Sequence, residues 1–191
     1  MVRNSKTGHI KKLLAIILVV VLCCGLLPVT ALAGANDVSV QVSLTDGDGF
    51  DIPRQSLAVS PGLAGSYGYT YASGITENDV TVLDVLAAAH VQQFGGNSDD
   101  VTSNLTVNAS GYITKVFGRE TANFGFSVNG AQPHDNVLSG SYYTGYSANE
   151  AIVHTGDCIE FYFYRDSTCL DYYSWFEQNG TKTEAVTVNT N

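Results

Sequence analysis

The chain contains residue types that perform hydrolysis, but their spacing does not match a catalytic site. A zinc centre needs ligands at short, defined intervals, whereas His90, His134 and His154 are scattered, so we expect surface or capping roles for them. Asp99 and Asp100 form a carboxylate pair within a stretch rich in Gly, Asn and Ser, where we expect a solvated turn rather than the opposed walls of a glycosidase cleft. No Gly-x-Ser-x-Gly elbow is present. The sequence therefore predicts a protein that is not an enzyme.

An acidic segment just after the first predicted strand has the composition of a calcium loop. Asp46, Asp48 and Asp51 could supply three oxygen ligands, but Phe50 falls on a ligand position and no distal Glu closes the site. Asp-Gly pairs are also common in ordinary turns. We favour a turn here and keep calcium binding by these three aspartates as the alternative.

Aromatic residues are the remaining candidates for ligand binding. If Phe161 and Phe163 face the core, the alternating Tyr162 and Tyr164 form an exposed stripe on the other side of their strand. Further tyrosines fall in a polar, Gly-rich segment, residues 131–148, which we expect to be a long loop. Exposed aromatic rings bind sugars or peptides by stacking, although tyrosine is also simply favoured in strands. The candidate ligand-binding residues are Tyr142, Tyr143, Tyr146, Tyr162, Tyr164 and Trp175.

The N-terminal segment has the organisation of a secretory signal peptide. Basic residues precede an apolar run of 15 residues, Leu13 to Leu27, and Ala31-Leu32-Ala33 supplies the small residues that signal peptidase recognises. The run is shorter than the roughly 20 residues that cross a bilayer, and an uncleaved anchor is the alternative. We predict that residues 1–33 are a signal peptide and that the protein is secreted or held at the cell surface, with no membrane insertion after cleavage.

Removal of the signal peptide leaves five basic residues against 18 acidic ones, a net charge of −13. Such a surface repels nucleic acid and anionic lipid, so we exclude both as partners. It suits an exported protein, and it would also suit a cationic or calcium-dependent partner. The partner that we expect is an extracellular glycan, a peptide or a small molecule.

Cys158 and Cys169 are the cysteines that remain in the mature chain. A disulfide between them would contribute about 2–3 kcal/mol to stability in an exported protein. Disulfide geometry is strict, however, and a hairpin centred between Asp166 and Ser167 would place Cys158 opposite Trp175 instead of Cys169. The sequence leaves this pairing open.

The mature chain predicts short strands around one main helix. Alternating apolar residues begin a first strand at Val38, and a helix over residues 81–94 begins with the capping-box pair Thr81 and Asp84 and ends at Gly95. Asn129-Gly130 predicts a hairpin turn. Later strands are predicted at residues 101–107, 112–117, 124–128, 151–154 and 158–164. We expect a single α+β domain over residues 34–178, with a mixed sheet packed on the helix, and a polar tail or linker at 179–191.

Three short motifs resemble the transcobalamin C-terminal-like domain, a domain of unassigned function in secreted and surface proteins of Gram-positive bacteria. They are Thr81–Leu86 at the helix start, Phe124–Gly130 on a middle strand and Gly156–Phe161 near the end. The resemblance covers roughly residues 80 to 165 and implies a β-grasp-like fold. In the animal relatives the domain closes over cobalamin together with a helical domain, which this chain lacks. Phe124 and Phe126 also stand where Trp is more usual in the family.

The resemblance and the residues together favour a non-enzymatic binding or adhesion module at a Gram-positive cell surface. It could be one module of a larger surface assembly. One alternative is a carrier of cobalamin or another corrinoid, which only the animal relatives imply. The other is a structural spacer domain of a larger surface protein. A binding module should expose aromatic rings, a carrier should have a concave pocket, and a spacer should have neither.

Overall fold

The structure is a computed structural model that describes residues 36–46, 49–121, 123–164, 176–178 and 181–183. All of these lie in the compact unit Ala33–Asn191, which is a strand-rich mixture of helices and strands. The helices are α1 Leu63–Ser66, α2 Val82–Phe94 and α3 Ser98–Asn104. The strands are β1 Val38–Thr45, β2 Phe50–Val59, β3 Val80–Thr81, β4 Thr106–Val107, β5 Ile113–Val116, β6 Arg119–Glu120, β7 Phe124–Val128, β8 His134–Ser139, β9 Tyr142–Gly145, β10 Ile152–Val153, β11 Cys158–Phe163, β12 Phe176–Gln178 and β13 Thr181–Thr183.

The main sheet has the strand order β2-β1-β11-β7. Strands β1 and β2 form an antiparallel hairpin, and β11 returns to lie parallel to β1, with Leu44 opposite Phe161. Strand β7 pairs antiparallel with β11 and forms the outer edge, with Gly125 opposite Tyr162. The prediction of a mixed sheet is therefore confirmed. The remaining strands form small sheets: β3 with β10, β4 with β5 and β6, β8 with β9, and β12 with β13.

Helix α2 begins and ends where the sequence predicts. The Thr81 side chain accepts from the Asp84 backbone N–H while the Asp84 carboxylate accepts from the Thr81 backbone N–H, and Gly95 forms the C-cap. Every residue from Val82 to His90 is buried, so the helix is covered on all sides over this stretch, and not along one stripe only. Its residues share one core with the inward faces of β1 and β11, including Val42 and Phe161.

A carboxylate is buried inside this core. Asp84 is fully buried and accepts hydrogen bonds from Thr81 Oγ1 at 2.8 Å, from Ala64 N at 2.9 Å and from the hydroxyl of Tyr71 at 2.5 Å. Burial is the main cause that raises the pKa of Tyr71 well above its ordinary value, and the Asp84 carboxylate raises it further. This network ties the loop after α1 to the start of α2.

Three sequence predictions differ from the structure. Residues 98–104 form helix α3 and not the first part of a strand, because Asn97 caps it through the Asp100 N–H and Asp99 and Asp100 occupy its first turn. The expected loop over 131–148 instead contains the β8–β9 hairpin. His90 is buried and not at the surface, since it lies on the covered part of α2. In the described ranges no helix is long and apolar enough to cross a membrane.

Candidate binding cleft

A concave cleft of about 770 Å³ lies along the outer edge of the main sheet. Strands β7 and β11 form one wall, the end of β9 and the residues after it form another, and residues 110–113 complete it. Its size falls within the roughly 300–1,000 Å³ of typical ligand sites. The aromatic residues that line it are Tyr112, Phe124, Phe126, Tyr146, Tyr162 and Tyr164.

Tyr162 on β11 and Tyr164 just after it face the cleft, because side chains alternate between the two faces of the sheet. Ile159 and Phe161 are fully buried in the core, and Tyr162 lies on the opposite face with its ring 6.5 Å from that of Tyr164. Tyr162 and Tyr164 thus lie on the side of the strand that the sequence predicts, but they are half-buried and not exposed. On β7, Gly125 leaves room for it, since a Cβ there would stand 2.5 Å from Cε2 of Tyr162.

The second wall places Tyr146 in the cleft and leaves Tyr143 outside it. The Tyr146 N–H donates to the Pro133 carbonyl at 2.9 Å, which ties the end of the β8–β9 hairpin to its start. Thr144, Gly145 and Tyr146 then line the cleft. Tyr143 is 51 % exposed and stacks on His134 with ring centroids 4.3 Å apart, so it does not contribute to the cleft.

The base of the cleft is a tight polar junction. Gly111, at φ 81, approaches the Asn149 side chain so closely that any side chain at this position would collide with it. Asn149 is almost completely buried, accepts from Ser147 Oγ at 2.8 Å and donates to the Thr70 carbonyl at 3.1 Å. Glu150 is the charged side chain among the lining residues. Tyr112 stands at the rim and is 70 % exposed.

The predicted site residues therefore separate into three groups. Tyr146, Tyr162 and Tyr164 meet in the cleft, whereas Tyr143 does not. Tyr142 belongs to β9, and its side chain lies outside the described part, as does Trp175. All three tyrosines from 142 to 146 were expected on a loop; two of them are on a strand, because the hairpin is held by its own backbone pairing.

Calcium binding by Asp46, Asp48 and Asp51 stays a prediction. Arg119 pairs with Asp46 at 3.8 Å and with Asp51 at 3.2 Å, so these two aspartates already face a cation; Asp48 lies outside the described residues. Within the described ranges no group of three or more His, Cys, Asp or Glu residues could hold a metal ion.

The cysteine pairing stays a prediction because Cys169 lies outside the described residues. Cys158 Sγ accepts a hydrogen bond from Arg54 Nη1 at 2.6 Å, and the same guanidinium contacts Glu160 at 3.0 Å. Cys158 and Glu160 lie on the face of the sheet that carries Tyr162.

Sequence reasoning missed two parts of the cleft. Tyr112 follows a turn held by Asn108, and nothing in its spacing marks it as part of a site. Phe124 and Phe126 read as core residues from their alternation, and both do pack on the core, yet they also form the wall of the cleft. Only their position on an edge strand reveals this second role.

Comparisons of the chain with protein-family models, with curated proteins and with solved structures found no match. Flat aromatic faces, a few hydroxyls and one carboxylate can hold a ligand by stacking and hydrogen bonding.

Proposed function

We propose that this protein is a secreted or cell-surface binding module of a Gram-positive bacterium, without catalytic activity, and that the aromatic cleft holds its ligand. The observation that carries the proposal is that three tyrosines distant in the sequence line the same cleft. Tyr146 and the pair Tyr162 and Tyr164 come from separate segments of the chain, and all three line one cleft of about 770 Å³. A spacer domain has no need for such a concave aromatic surface.

The arrangement of the main sheet supports a β-grasp-like domain of the transcobalamin C-terminal-like kind. A hairpin of β1 and β2 leads into α2, and β11 later returns parallel to β1 in the middle of the sheet. The buried face of that sheet packs on α2. The Asn129-Gly130 motif supports the same proposal, because it forms a hairpin turn with both residues at positive φ, 55 and 79.

A binding screen with cleft variants tests this function. The probes are cellohexaose, a chitin hexasaccharide, cobalamin and a displayed library of random heptapeptides, each measured against the wild type and single-residue variants. We expect at least one probe to bind, and we expect Tyr146→Ala and Tyr164→Ala to weaken it roughly tenfold or more, the usual cost of removing an aromatic anchor.

Tyr143→Ala is the matched control, because Tyr143 lies on the same hairpin but outside the cleft. It should change the affinity less than about twofold. Binding that none of the cleft variants weakens would refute the cleft as the site. Failure of every probe to bind at millimolar concentration would favour the spacer alternative.

A cobalamin carrier is the second candidate, because a carrier requires a concave pocket and the cleft is concave. Equilibrium dialysis against cobalamin, read by visible absorbance, tests it directly. Saturable retention of one cobalamin per chain, lost in Tyr162→Ala, would establish the carrier. No retention would leave the extracellular polymers as the ligands to pursue.

A further inference from the structure

We propose that the ligand of the cleft is an extended polypeptide segment, neutral to basic in charge, which adds to β7 as a further strand of the main sheet. This inference rests on the proposed binding function and names the ligand class of the same site. Four observations support it: the backbone groups of the β7 edge, the spacing of these groups, the lack of protection of this edge and the charge of the cleft.

The backbone N–H and C=O groups of successive β7 residues point alternately toward β11 and toward the cleft. Asn129 N donates to Cys158 O at 2.8 Å and Tyr164 N donates to Asn123 O at 3.1 Å, so the odd-numbered residues of this strand face β11. In an antiparallel ladder the intervening residues point their N–H and C=O groups the other way. Phe124 and Phe126 therefore direct both groups away from β11, and no described residue bonds to them there.

Val128 also directs its N–H and C=O groups away from β11, but these groups already have partners. Val128 N donates to Ala131 O at 2.8 Å and Ala131 N donates back to Val128 O at 3.2 Å, through the Asn129-Gly130 turn. The open part of the edge is thus limited to Phe124 and Phe126, and both of these residues line the cleft.

The spacing of these groups selects a peptide. Two residues along a strand correspond to about 6.8 Å, and at each of the two positions one donor stands beside one acceptor. An extended peptide repeats a donor and an acceptor at this interval, so it can satisfy all four groups at once. Its side chains would alternate between the face of Tyr162 and that of Phe161.

The two edges of the main sheet differ in how they are protected. Strand β2, at the opposite edge, contains Pro53, followed by Arg54, and proteins use proline and charge to block unwanted strand pairing. Strand β7 has the sequence Phe-Gly-Phe-Ser-Val, with neither proline nor charge. An unprotected edge inside a concave aromatic cleft is what recognition by strand addition requires.

Charge determines which peptides fit. Glu150 is the charged residue among the described residues that line the cleft, and the whole chain has a formal net charge of −9. An acidic segment would be repelled, whereas a segment with a Lys or Arg near Glu150 would be favoured. We therefore expect selected heptapeptides to be apolar or β-branched at alternate positions, with few acidic residues.

The test compares Phe126→Pro with Phe126→Ala, using the best heptapeptide selected on the wild type from the random library. Both variants lose the ring, but only proline also removes the N–H that faces the cleft. That N–H makes no ladder bond to β11, so proline is compatible with this edge position. We expect the proline variant to bind the peptide roughly tenfold more weakly than the alanine variant.

A second measurement leaves the protein unchanged and so does not depend on the variants folding. The selected peptide is N-methylated at alternate residues in two versions, one for each edge of its strand. One version should lose binding to the wild type roughly tenfold or more, and the other should keep it, because only one peptide edge pairs with β7.

The outcomes separate this inference from the proposed function. Equal binding by the two Phe126 variants together with tolerance of both methylated peptides would overturn strand addition while the cleft remained a binding site. Selection of no peptide, with a hexasaccharide or cobalamin bound in the cleft, would also overturn it. If no probe binds at all, the proposed function itself fails.

Discussion

At the scale of single residues, the Asp84 carboxylate explains how a charge is held in an apolar core. It stands at the N-terminus of α2, where the helix dipole favours a negative charge, and it receives donors from the Thr81 backbone, the Thr81 hydroxyl, the Ala64 N–H and Tyr71. An unpaired buried carboxylate would be very costly, so each donor contributes more than an ordinary surface hydrogen bond.

Tyr71→Phe should therefore destabilise the protein more than Tyr69→Phe. Tyr71 donates to a carboxylate at 2.5 Å, whereas Tyr69 donates to the neutral Leu105 carbonyl at 2.7 Å. We expect losses of about 1.5–3 kcal/mol and about 0.5–1.5 kcal/mol in the free energy of unfolding, measured by urea denaturation at neutral pH. Equal losses would contradict the larger contribution that we expect from a hydrogen bond to a carboxylate.

The contribution of Tyr71 to the free energy of unfolding depends on pH. Because burial and Asp84 raise the pKa of Tyr71, the folded chain retains this proton at a pH where the unfolded chain loses it. The contribution of Tyr71 is complete below its ordinary pKa near 10 and is lost as the pH rises above that value. Tyr71→Phe should accordingly flatten the alkaline decline in stability.

The capping box was predictable from the sequence because Thr81 and Asp84 are three residues apart, and local spacing suffices for a cap. The contact between Tyr71 and Asp84 was not predictable. Tyr67, Tyr69 and Tyr71 alternate in the sequence, but no residue of this segment pairs in a sheet in the structure. Its hydroxyls reach partners that only the tertiary path of the chain brings near.

At the scale of elements, His90 connects helix α2 to the turn between β5 and β6. Its Nδ1 lies 2.7 Å from the Leu86 carbonyl of its own helix, and its Nε2 accepts the Phe117 N–H at 2.9 Å. A neutral ring protonated on Nδ1 satisfies both contacts. Phe117 has a positive φ of 47, which is unfavourable for an aromatic residue, and its ring stacks on His90 at 4.1 Å.

This connection should weaken in mild acid. Burial lowers the pKa of His90, so the unfolded chain binds the proton more readily than the folded one. The stability that the neutral ring provides is complete above the ordinary pKa near 6.5 and is lost as the pH falls below it. We expect the free energy of unfolding, measured by urea denaturation, to fall between about pH 7.5 and pH 5.5.

His90→Ala should be about 2–4 kcal/mol less stable at pH 7.5, because a cavity replaces a bonded ring, but it should vary less over this pH range. His154→Ala is the matched control, since the His154 side chain is 81 % exposed. It should retain the stability of the wild type at pH 7.5. An unchanged acid response in His90→Ala would contradict the role given to the neutral ring.

Elements with a buried face were the ones that the sequence revealed. Strands β1, β7 and β11 have apolar residues at alternate positions, and α2 has an apolar run between a cap and a Gly. The β8–β9 hairpin was missed because β8 is exposed over most of its length, so no alternation between core and solvent marks it. For α3, the capping residue Asn97 was available but the β-branched residues after it favoured a strand.

At the scale of the whole molecule, the cleft exists only when distant segments are assembled. Its walls come from residues 110–113, from β7, from the end of the β8–β9 hairpin and from β11. Sequence reasoning could identify Tyr162, because the preceding residue, Phe161, is an obvious core residue. It could not predict that Tyr146 lies in the same cleft as Tyr162. The position of β7 at the sheet edge follows from the long-range pairing of β1 with β11, which no local pattern encodes.

A ligand that joins these walls should stabilise the folded state as a whole. A peptide that binds only the folded chain adds about 2.7 kcal/mol to the free energy of unfolding at 100 times its dissociation constant. For a domain of this size that corresponds to a rise of roughly 5–10 °C in the midpoint of thermal unfolding. The selected heptapeptide should give this rise in the wild type and in Tyr143→Ala, and at the same peptide concentration a clearly smaller one in Phe126→Pro. An unchanged midpoint, with protection from proteolysis confined to the β8–β9 hairpin, would contradict strand addition to β7, because a peptide bound only to the folded main sheet must raise the midpoint.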